Sequence, residues 1–321
     1  YSNEEYESSG ATIVTTLSEK TNIITAVNAF YNTKSKYVKN SSIITLSDIR
    51  TNEEVSRVCE ENDLSLFAME FVPRIARAQK LDALSSQASI AGYRAGLLAA
   101  TSLKKYLPLM MTAAGTIPPS SILVLGAGVA GLQAIATAKR LGADVTGYDI
   151  RLAAGEQIES LGAKFISDEV PEDSETSGGY AKEQSKDNQV SQLEFLKEYI
   201  LKSDAVISTA AIPGRKAPIL IEKSTVLGMK AGSVIVDISA PSGGNCESTI
   251  LGESVEINGT IVHGPKNLSS EMAFDASIVY SKNIFGLLEI IINEGVININ
   301  LEDEIIDAML VYQDGNKRIE G

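Results

Sequence analysis

The chain has 321 residues, enough for about two domains of ordinary size. Its 44% hydrophobic and 21% charged residues are those of a soluble globular protein and exclude a disordered one. A net charge of −13 opposes binding to phosphate backbones, so nucleic acid is not an expected partner. Two cysteines, Cys59 and Cys246, fit neither a metal-ligand spacing nor a disulfide framework and read as reduced structural thiols in a reducing compartment. One histidine, His263, is too few for a His-based metal site or a Ser–His–Asp triad, and no metal is expected.

The polar opening YSNEEYESSG lacks the basic region and apolar core of a signal peptide and looks like the edge of a larger polypeptide. Short β-like runs follow at Ala11–Leu17, Asn22–Val27, Ser42–Leu46 and Leu64–Phe71, with a helical pattern over Asn52–Glu61. Pro73 closes the strand Leu64–Val72, and Arg74–Ser86 reads as a loop or helix entrance. A helix with a small-residue face is predicted from Ala88 to Tyr106, and Pro108 with Pro118–Pro119 brackets the connection into a second domain. From Ser121 short apolar runs alternate with helices: SILVLG, then VAGLQAIATAKRLG closed by Gly142, ADVTGYD, AAGEQIESLG and AKFIS. Strands recur at Asp204–Thr209, Ser233–Ile238 and Gly259–His263, while Asp168–Gln189 is expected to be a long surface loop. A helix over Ser281–Asn293 and a strand-like tail, Val296–Leu301, are expected to return to the first domain. The most apolar segment, Asn283–Ile292, is too short to span a bilayer and carries Glu289. The fold class is therefore α/β with two Rossmann-like domains, the central one a doubly wound parallel sheet. Residues 1–105 with about 290–321 form a discontinuous first domain, and 106–289 form the dinucleotide-binding one.

Gly126-Ala127-Gly128-Val129-Ala130-Gly131 matches G-x-G-x-x-G in the context that makes it specific, a strand before, a helix after and an acidic residue ending the next strand. Gly126 allows the tight turn, Gly128 lets a pyrophosphate approach the backbone, and Gly131 lets helix and strand pack closely. The helix N-terminus offers N–H groups and partial positive charge to the phosphates. Asp149 stands where a carboxylate takes the adenosine ribose hydroxyls and repels a 2′-phosphate, which favours NAD(H) over NADP(H). Arg151 cuts the other way, because an arginine there can pair with a 2′-phosphate.

The run PRIARAQKLDALSS gathers Arg74, Arg77, Gln79, Asp82, Ser85 and Ser86. It reads either as a capped helix start with solvated arginines, or as a polar cluster with the donors and acceptors that a nicotinamide carboxamide needs. Composition leaves both open.

This segment, followed by ASIAGYRAG, resembles the NAD(H)-binding component (domain I) of proton-translocating NAD(P) transhydrogenase, in the alanine dehydrogenase/PNT superfamily. The resemblance continues through TAAGTIPPSSILVLGAGVAGLQAIATAKRLGADVTGYDIR, the loop SGGYAKE, DAVISTAAIPGRKAPILI, MKAGSVIVDISAPSGGNCE and ASIVYSKNIFGLLEIII, over residues 64–315. It implies direct hydride transfer between NAD(H) here and NADP(H) on a separate domain III, coupled to proton movement through a membrane domain. It further implies a homodimer, a chain that is itself soluble, and a parent protein in a mitochondrial inner or bacterial cytoplasmic membrane with its nucleotide side facing a reducing compartment.

Carried onto matching positions, Arg74, Asp82 and Ser85 would hold the nicotinamide carboxamide and Gln79 would sit where the two nicotinamides meet. Arg74, Gln79 and Asp82 are then the catalytic candidates. Val129 would lie over the pyrophosphate, and Asp149, Ile150 and Arg151 around the adenosine ribose. Gly179, Tyr180 and Gln192 match a mobile loop that closes over the nucleotide, and Ala211 matches the wall beside it. Such a reaction needs no protein acid, because donor and acceptor carbons both belong to cofactors. The protein supplies orientation, with reacting atoms about 3–3.5 Å apart, and excludes water.

Two departures accompany the resemblance. The family's N-terminal strand with its Pro-Lys/Arg-Glu signature is missing before residue 11, and residues 1–60 match poorly, so the first domain is expected to be truncated at its start. The membrane segments and the NADP domain are also absent. An alanine dehydrogenase is the alternative enzyme, but it needs a substrate-binding Lys and a protonating His in the N-terminal domain, whereas His263 lies past the glycine turn. A non-catalytic NAD-binding module is the alternative of another class.

Overall fold

A computed structural model of the chain describes residues 1–28, 37–47, 49, 52–168, 186–212 and 215–319. In chain order they form α1 (Asn3–Ser8), β1 (Ile23–Thr25), β2 (Ser42–Thr45), α2 (Glu53–Glu61), β3 (Ser65–Ala68), a 3-10 helix at Ala76–Leu81 and α3 (Ala83–Ser102). Next come β4 (Met110–Thr112), β5 (Gly115–Ile117), β6 (Ser121–Leu125), α4 (Val129–Arg140), β7 (Asp144–Tyr148), α5 (Ala154–Ser160) and β8 (Lys164–Ile166). The chain continues through α6 (Lys186–Lys202), β9 (Ala205–Ser208), α7 (Lys223–Gly228), β10 (Val234–Asp237), β11 (Ser254–Ile257) and β12 (Thr260–His263). It ends with α8 (Ala273–Ile291), β13 (Ile292–Asn293), β14 (Val296–Ile297), α9 (Glu304–Met309), β15 (Leu310–Gln313) and β16 (Asn316–Lys317). Among the described residues no helix is long and apolar enough to cross a membrane.

The chain divides into two compact units, residues 1–86 with 274–321, and residues 87–273. The first is discontinuous, as expected, but the divisions fall at 86/87 and 273/274 rather than near 105 and 290. Side-chain burial gives the reason. Ala95 and Ala99 of α3 and Leu103 just after it belong to the core of the second unit, whereas Tyr280, Ile284, Leu287 and Ile291 of α8 belong to that of the first.

In the first unit the sheet order is β1-β2-β3-β15-β16, parallel through β1–β3 and antiparallel at β15 and β16. The strands SIIT and SLFA are buried along their whole length, as continuous apolar runs in a sheet covered on both faces must be. Ile43 and Ile44 alternate across it, Ile44 joining Leu287, Ile291 and Met309 on one side and Ile43 joining Val55 and Cys59 of α2 on the other. Val296–Leu301 belongs to this unit, with Ile299 against its core, but the strand that joins the sheet is β15; residues 296–297 pair with β13 in a short hairpin. No strand forms over Ala11–Leu17, which is exposed throughout.

In the second unit the order is β11-β12-β10-β9-β6-β7-β8, parallel except for β11. From β6 the chain winds through β7 and β8 to one edge, then passes to β9, β10 and β12 on the other side. The order therefore reverses between β6 and β9. This is the doubly wound arrangement expected, and sheets of this kind bind ligands in a crevice outside the carboxyl ends of the strands at that reversal. Ile122, Val124, Ile135, Val145, Ile158 and Ile207 pack on one face, and Leu123, Leu125, Leu196, Ile200, Val206 and Ile235 on the other. Each fully buried branched side chain contributes about 1.5–3 kcal/mol, so the crevice rests on a stiff floor. Of the segment Asp168–Gln189, expected to be a long loop, residues 169–185 lie outside the described residues, and the last four are helical because α6 begins at Lys186.

Candidate functional site

In the second unit Gly126 follows β6 with φ +96°, a left-handed conformation that side chains other than glycine rarely adopt, and its N–H donates to Tyr148 O at 2.8 Å. A Cβ on Gly131 would stand 1.8 Å from Gly126 O, so only glycine lets α4 start this close to the strand. Gly128 differs: a Cβ there meets nothing within 4 Å. It is the N-cap of α4 and supplies no side-chain cap, so the first-turn N–H groups face the space before it. An anion fits that position. Val129, the first residue of α4, is exposed beside it. The three glycines of the turn thus have distinct surroundings.

Thr209, which the sequence did not single out, closes the far side of the turn. Its hydroxyl donates to Leu125 O at 3.2 Å and Gly126 O at 3.1 Å, across the β6–β9 reversal. Exposed Ala211 lies two residues further along.

Asp149 ends β7 and is 6% exposed. It accepts the Ala127 N–H at 2.7 Å, the Arg151 N–H at 2.9 Å, and the Arg151 guanidinium through Nε and Nη2, both at 2.9 Å. Those four bonds use the roughly four acceptor sites of a carboxylate. Asp149 therefore staples the glycine turn to the end of β7, and a ribose diol reaches it only by taking the place of part of the Arg151 fork. Ile150 between them is half-buried against the α6 side of the sheet.

Gln192 lies on α6, not in a loop, and is 7% exposed. Its amide donates to Tyr148 Oη at 2.7 Å, while that phenol donates to Asp168 at 2.7 Å. Burial, with Asp168 beside it, holds the Tyr148 hydroxyl well above its ordinary pKa, so it stays a neutral donor. Gly179 and Tyr180 lie outside the described residues.

In the first unit the Arg74–Ser85 segment contains the 3-10 helix and the first turn of α3. Asp82 caps α3: one carboxylate oxygen accepts the Ser85 N–H at 2.8 Å and the other its hydroxyl at 2.6 Å. The capped-start reading of the segment thus holds for Asp82 and Ser85, and both are half-buried. Asn283 of α8 pins the segment at two points, donating to Lys80 O and accepting from the Ser86 hydroxyl, each at 2.8 Å. Arg77 forks onto Asp303, the N-cap of α9, at 2.6 and 2.7 Å. Arg74 and Gln79 are exposed, and among the described residues the Gln79 side chain makes no hydrogen bond. A fixed backbone thereby carries an uncommitted amide.

His263 ends β12 in the second unit, between the Ser102 hydroxyl at 2.9 Å and the Ser254 hydroxyl at 2.7 Å. Burial lowers its pKa. Cys59 and Cys246 are buried and free, with burial raising their thiols to about 12 and about 11, and they are inert structural residues. Among the described residues no cluster of His, Cys, Asp and Glu has a metal-site arrangement.

Comparison with known proteins agrees with this architecture. The family model of the alanine dehydrogenase/PNT C-terminal domain matches residues 95–320, and that of the N-terminal domain matches residues 1–91. The second match corrects the reading of residues 1–60 as poorly matching: they belong to the family domain. An NAD(P) transhydrogenase alpha-subunit chain of Rickettsia prowazekii (strain Madrid E) is 49% identical over 264 residues, 82% of this chain and 68% of the relative. The crystal structure of transhydrogenase from Sinorhizobium meliloti superposes with a TM-score of 0.86 at 40% identity, covering 98% of this chain and 87% of that one. An L-alanine dehydrogenase structure shares the fold, with a TM-score of 0.78 at 22% identity over 99% of this chain and 84% of its own. The chain belongs to the alanine dehydrogenase/PNT family and, within it, to the alpha subunits of NAD(P) transhydrogenase.

Proposed function

We propose that this chain is the NAD(H)-binding component of a proton-translocating NAD(P) transhydrogenase. Hydride passes directly between NAD(H) held here and NADP(H) on a partner domain, and the complete protein couples that exchange to proton movement through a membrane domain. The observation that carries the reading is the glycine turn: open space before Gly128, a close contact at Gly131, and Asp149 bonded to the turn's own backbone.

The residues have separate tasks in this reading. The N-terminus of α4, with Gly128 and Val129, takes the pyrophosphate. Asp149, Ile150 and Arg151 take the adenosine ribose, the Arg151 fork opening as the diol binds. Ala211 lines the wall beside the cofactor, and Gln192 supports it from below through Tyr148. Arg74, Asp82 and Ser85 hold the nicotinamide carboxamide, and Gln79 meets the second nicotinamide. None of them needs to move a proton, since both reacting carbons are the cofactors' own. The carboxylate of Asp149 disfavours a 2′-phosphate, so NADH is taken in preference to NADPH. The parent assembly is a membrane complex in which this chain is paired with a second copy of itself.

The test is a parallel titration with NADH and NADPH. The chain has no tryptophan, so the emission of the reduced nicotinamide is followed without interference from one. Saturable NADH binding with much weaker NADPH binding is expected, and tight NADPH binding would overturn the assignment. Turnover of NADH with alanine or pyruvate, without any NADP(H)-binding partner, would favour the dehydrogenase reading instead.

A further inference from the structure

Beyond the residues named so far, the carboxyl edge of the second sheet contains a buried polar assembly centred on Asp237. This residue ends β10 and is fully buried. One oxygen accepts the Ser208 hydroxyl at 3.0 Å and the Ser239 N–H at 3.1 Å. The other accepts the Asn245 N–H at 2.8 Å, the Cys246 N–H at 3.1 Å and the Thr249 hydroxyl at 2.7 Å. A Cβ on Gly244 would stand 2.8 Å from that oxygen, so the turn 239–246 is wrapped tightly round the carboxylate.

What the turn holds in place is Asn245. It is fully buried, and its side-chain nitrogen donates to Ala210 O and to Pro218 O, each at 2.8 Å. Ala210 O also accepts the Ser239 hydroxyl at 2.9 Å, so both lone pairs of that carbonyl are engaged. The Asn245 side-chain oxygen has no partner. An unpaired buried acceptor is a cost to stability, and a residue selected only to fill this space would avoid it.

Peptide planarity carries the consequence outward. In a trans peptide the N–H points opposite to the preceding C=O, and among the described residues there are no cis peptide bonds. With Ala210 O held inward by two donors, the Ala211 N–H is directed away from Asn245. Ala211 is exposed, and among the described residues its N–H has no acceptor. Ala210 N lies 3.2 Å from where a Cβ on Gly126 would be, so the residue that begins this peptide adjoins the glycine turn.

We propose that Asn245, assisted by Ser239, is a positioning residue that fixes the Ala210–Ala211 peptide so that the Ala211 N–H donates a hydrogen bond to the dinucleotide. This rests on the NAD(H) reading above and adds to it a backbone donor and the side chains that aim it.

The experiment uses the full chain, 15N-labelled, with NADH as the probe. In wild type the Ala211 amide proton is expected to move downfield as NADH saturates the chain. Asn245→Ala is expected to abolish that movement and weaken NADH binding about tenfold, the worth of one hydrogen bond. Ser239→Ala removes one of the two donors on Ala210 O and is expected to weaken binding about threefold; it carries the test alone if Asn245→Ala does not fold. Lys105→Met, at the opposite edge of the same sheet, is expected to lower the melting temperature while leaving the NADH affinity and the Ala211 shift unchanged. A loss of affinity there equal to that in Asn245→Ala would mean that general destabilisation is the cause, and would overturn the proposal. So would an Ala211 amide that NADH does not move in wild type, or unaltered affinity in the Asn245 and Ser239 variants. Wild type that binds NADH with Ala211 unmoved defeats this inference alone, whereas wild type that does not bind NADH defeats the cofactor reading and this with it.

Discussion

Gly128 and Gly131 belong to one turn and answer to different constraints. At Gly131 a methyl group meets the backbone oxygen of Gly126, which cannot move away as a side chain can. Gly131→Ala is expected to cost about 1–3 kcal/mol of stability and to lose NADH binding as well. At Gly128 a methyl group meets only open space, so Gly128→Ala is expected to stay within about 1 kcal/mol of wild type while NADH affinity falls more than tenfold. Thermal melts with parallel NADH titrations check the pair, and equal losses of stability in both variants would contradict the division of tasks. Gln79 allows a cleaner separation still, since its side chain is exposed and makes no hydrogen bond among the described residues. In a reconstituted complex Gln79→Asn is expected to bind NADH much as wild type does and to slow transhydrogenation strongly; unchanged transhydrogenation would count against a role for this amide. Asp82 was legible in the sequence in both its readings, and its cap on Ser85 makes them compatible, because a carboxylate that caps a helix is held in a set orientation. Asp237 and Asn245 were not legible. An aspartate ending a strand and an asparagine in a Gly-Gly turn are ordinary punctuation until the chain wraps one around the other.

At the scale of elements, the buried parallel strands were the easiest to read, because β6, β9 and β10 are short unbroken apolar runs between turn residues. What escaped was the antiparallel pairing. The hairpins β11–β12, β13–β14 and β15–β16 turn on Asn258-Gly259, Glu294-Gly295 and Asp314-Gly315, with positive φ at both residues of each pair. Asn-Gly and Asp-Gly are usual signatures of a two-residue turn, yet only one strand of each of the first two hairpins was read, β12 and β14, because β11 is polar and β13 and β16 are two residues long, while β15 is a four-residue run without a marked boundary. The helix α3 was read with its small-residue face but not with that face's partner. A Cβ on Gly92 would lie 2.0 Å from Ala130 O, and one on Gly96 2.9 Å from the Thr137 methyl, so α3 presses its glycines against α4 along the glycine turn's own helix. Gly92→Ala is therefore expected to push the two helices apart at the first turn of α4. A loss of about 1–3 kcal/mol should appear in denaturant unfolding with weakened NADH binding, although the residue itself is not assigned any contact with the cofactor. Retention of wild-type stability would show that the helices part without cost.

For the molecule as a whole, pH dependence follows from groups that the sequence could not rank. Burial holds His263 below its ordinary pKa, so the unfolded chain takes up a proton near pH ~6.5 while the folded one does not. Stability is then expected to decline as pH falls below about 6.5, and His263→Gln should flatten that part of the profile. Asp204 and Asp303 act in a lower range. Burial alone would raise Asp204, but the Lys105 ammonium at 2.8 Å and the Ser121 N–H outweigh it, and the Arg77 fork lowers Asp303. Their contribution is complete above the unfolded pKa of about 3.9 and is lost as pH drops through their folded values. Melting temperatures recorded from pH 8 to pH 3 should thus fall in two stages, and a wild-type profile that coincides with His263→Gln between pH 5 and 7 would contradict the first. The sheet order of the first unit has a consequence of another kind. β15 lies beside β3, yet the ribosome makes residues 87–273 between them. The second unit has all its strands once Ala273 has emerged, whereas the growing chain carries β3 with an unfilled edge until residues 310–313 arrive. That interval, in which an apolar strand offers unpaired backbone to any neighbour, is when nascent chains of this protein should most need a chaperone.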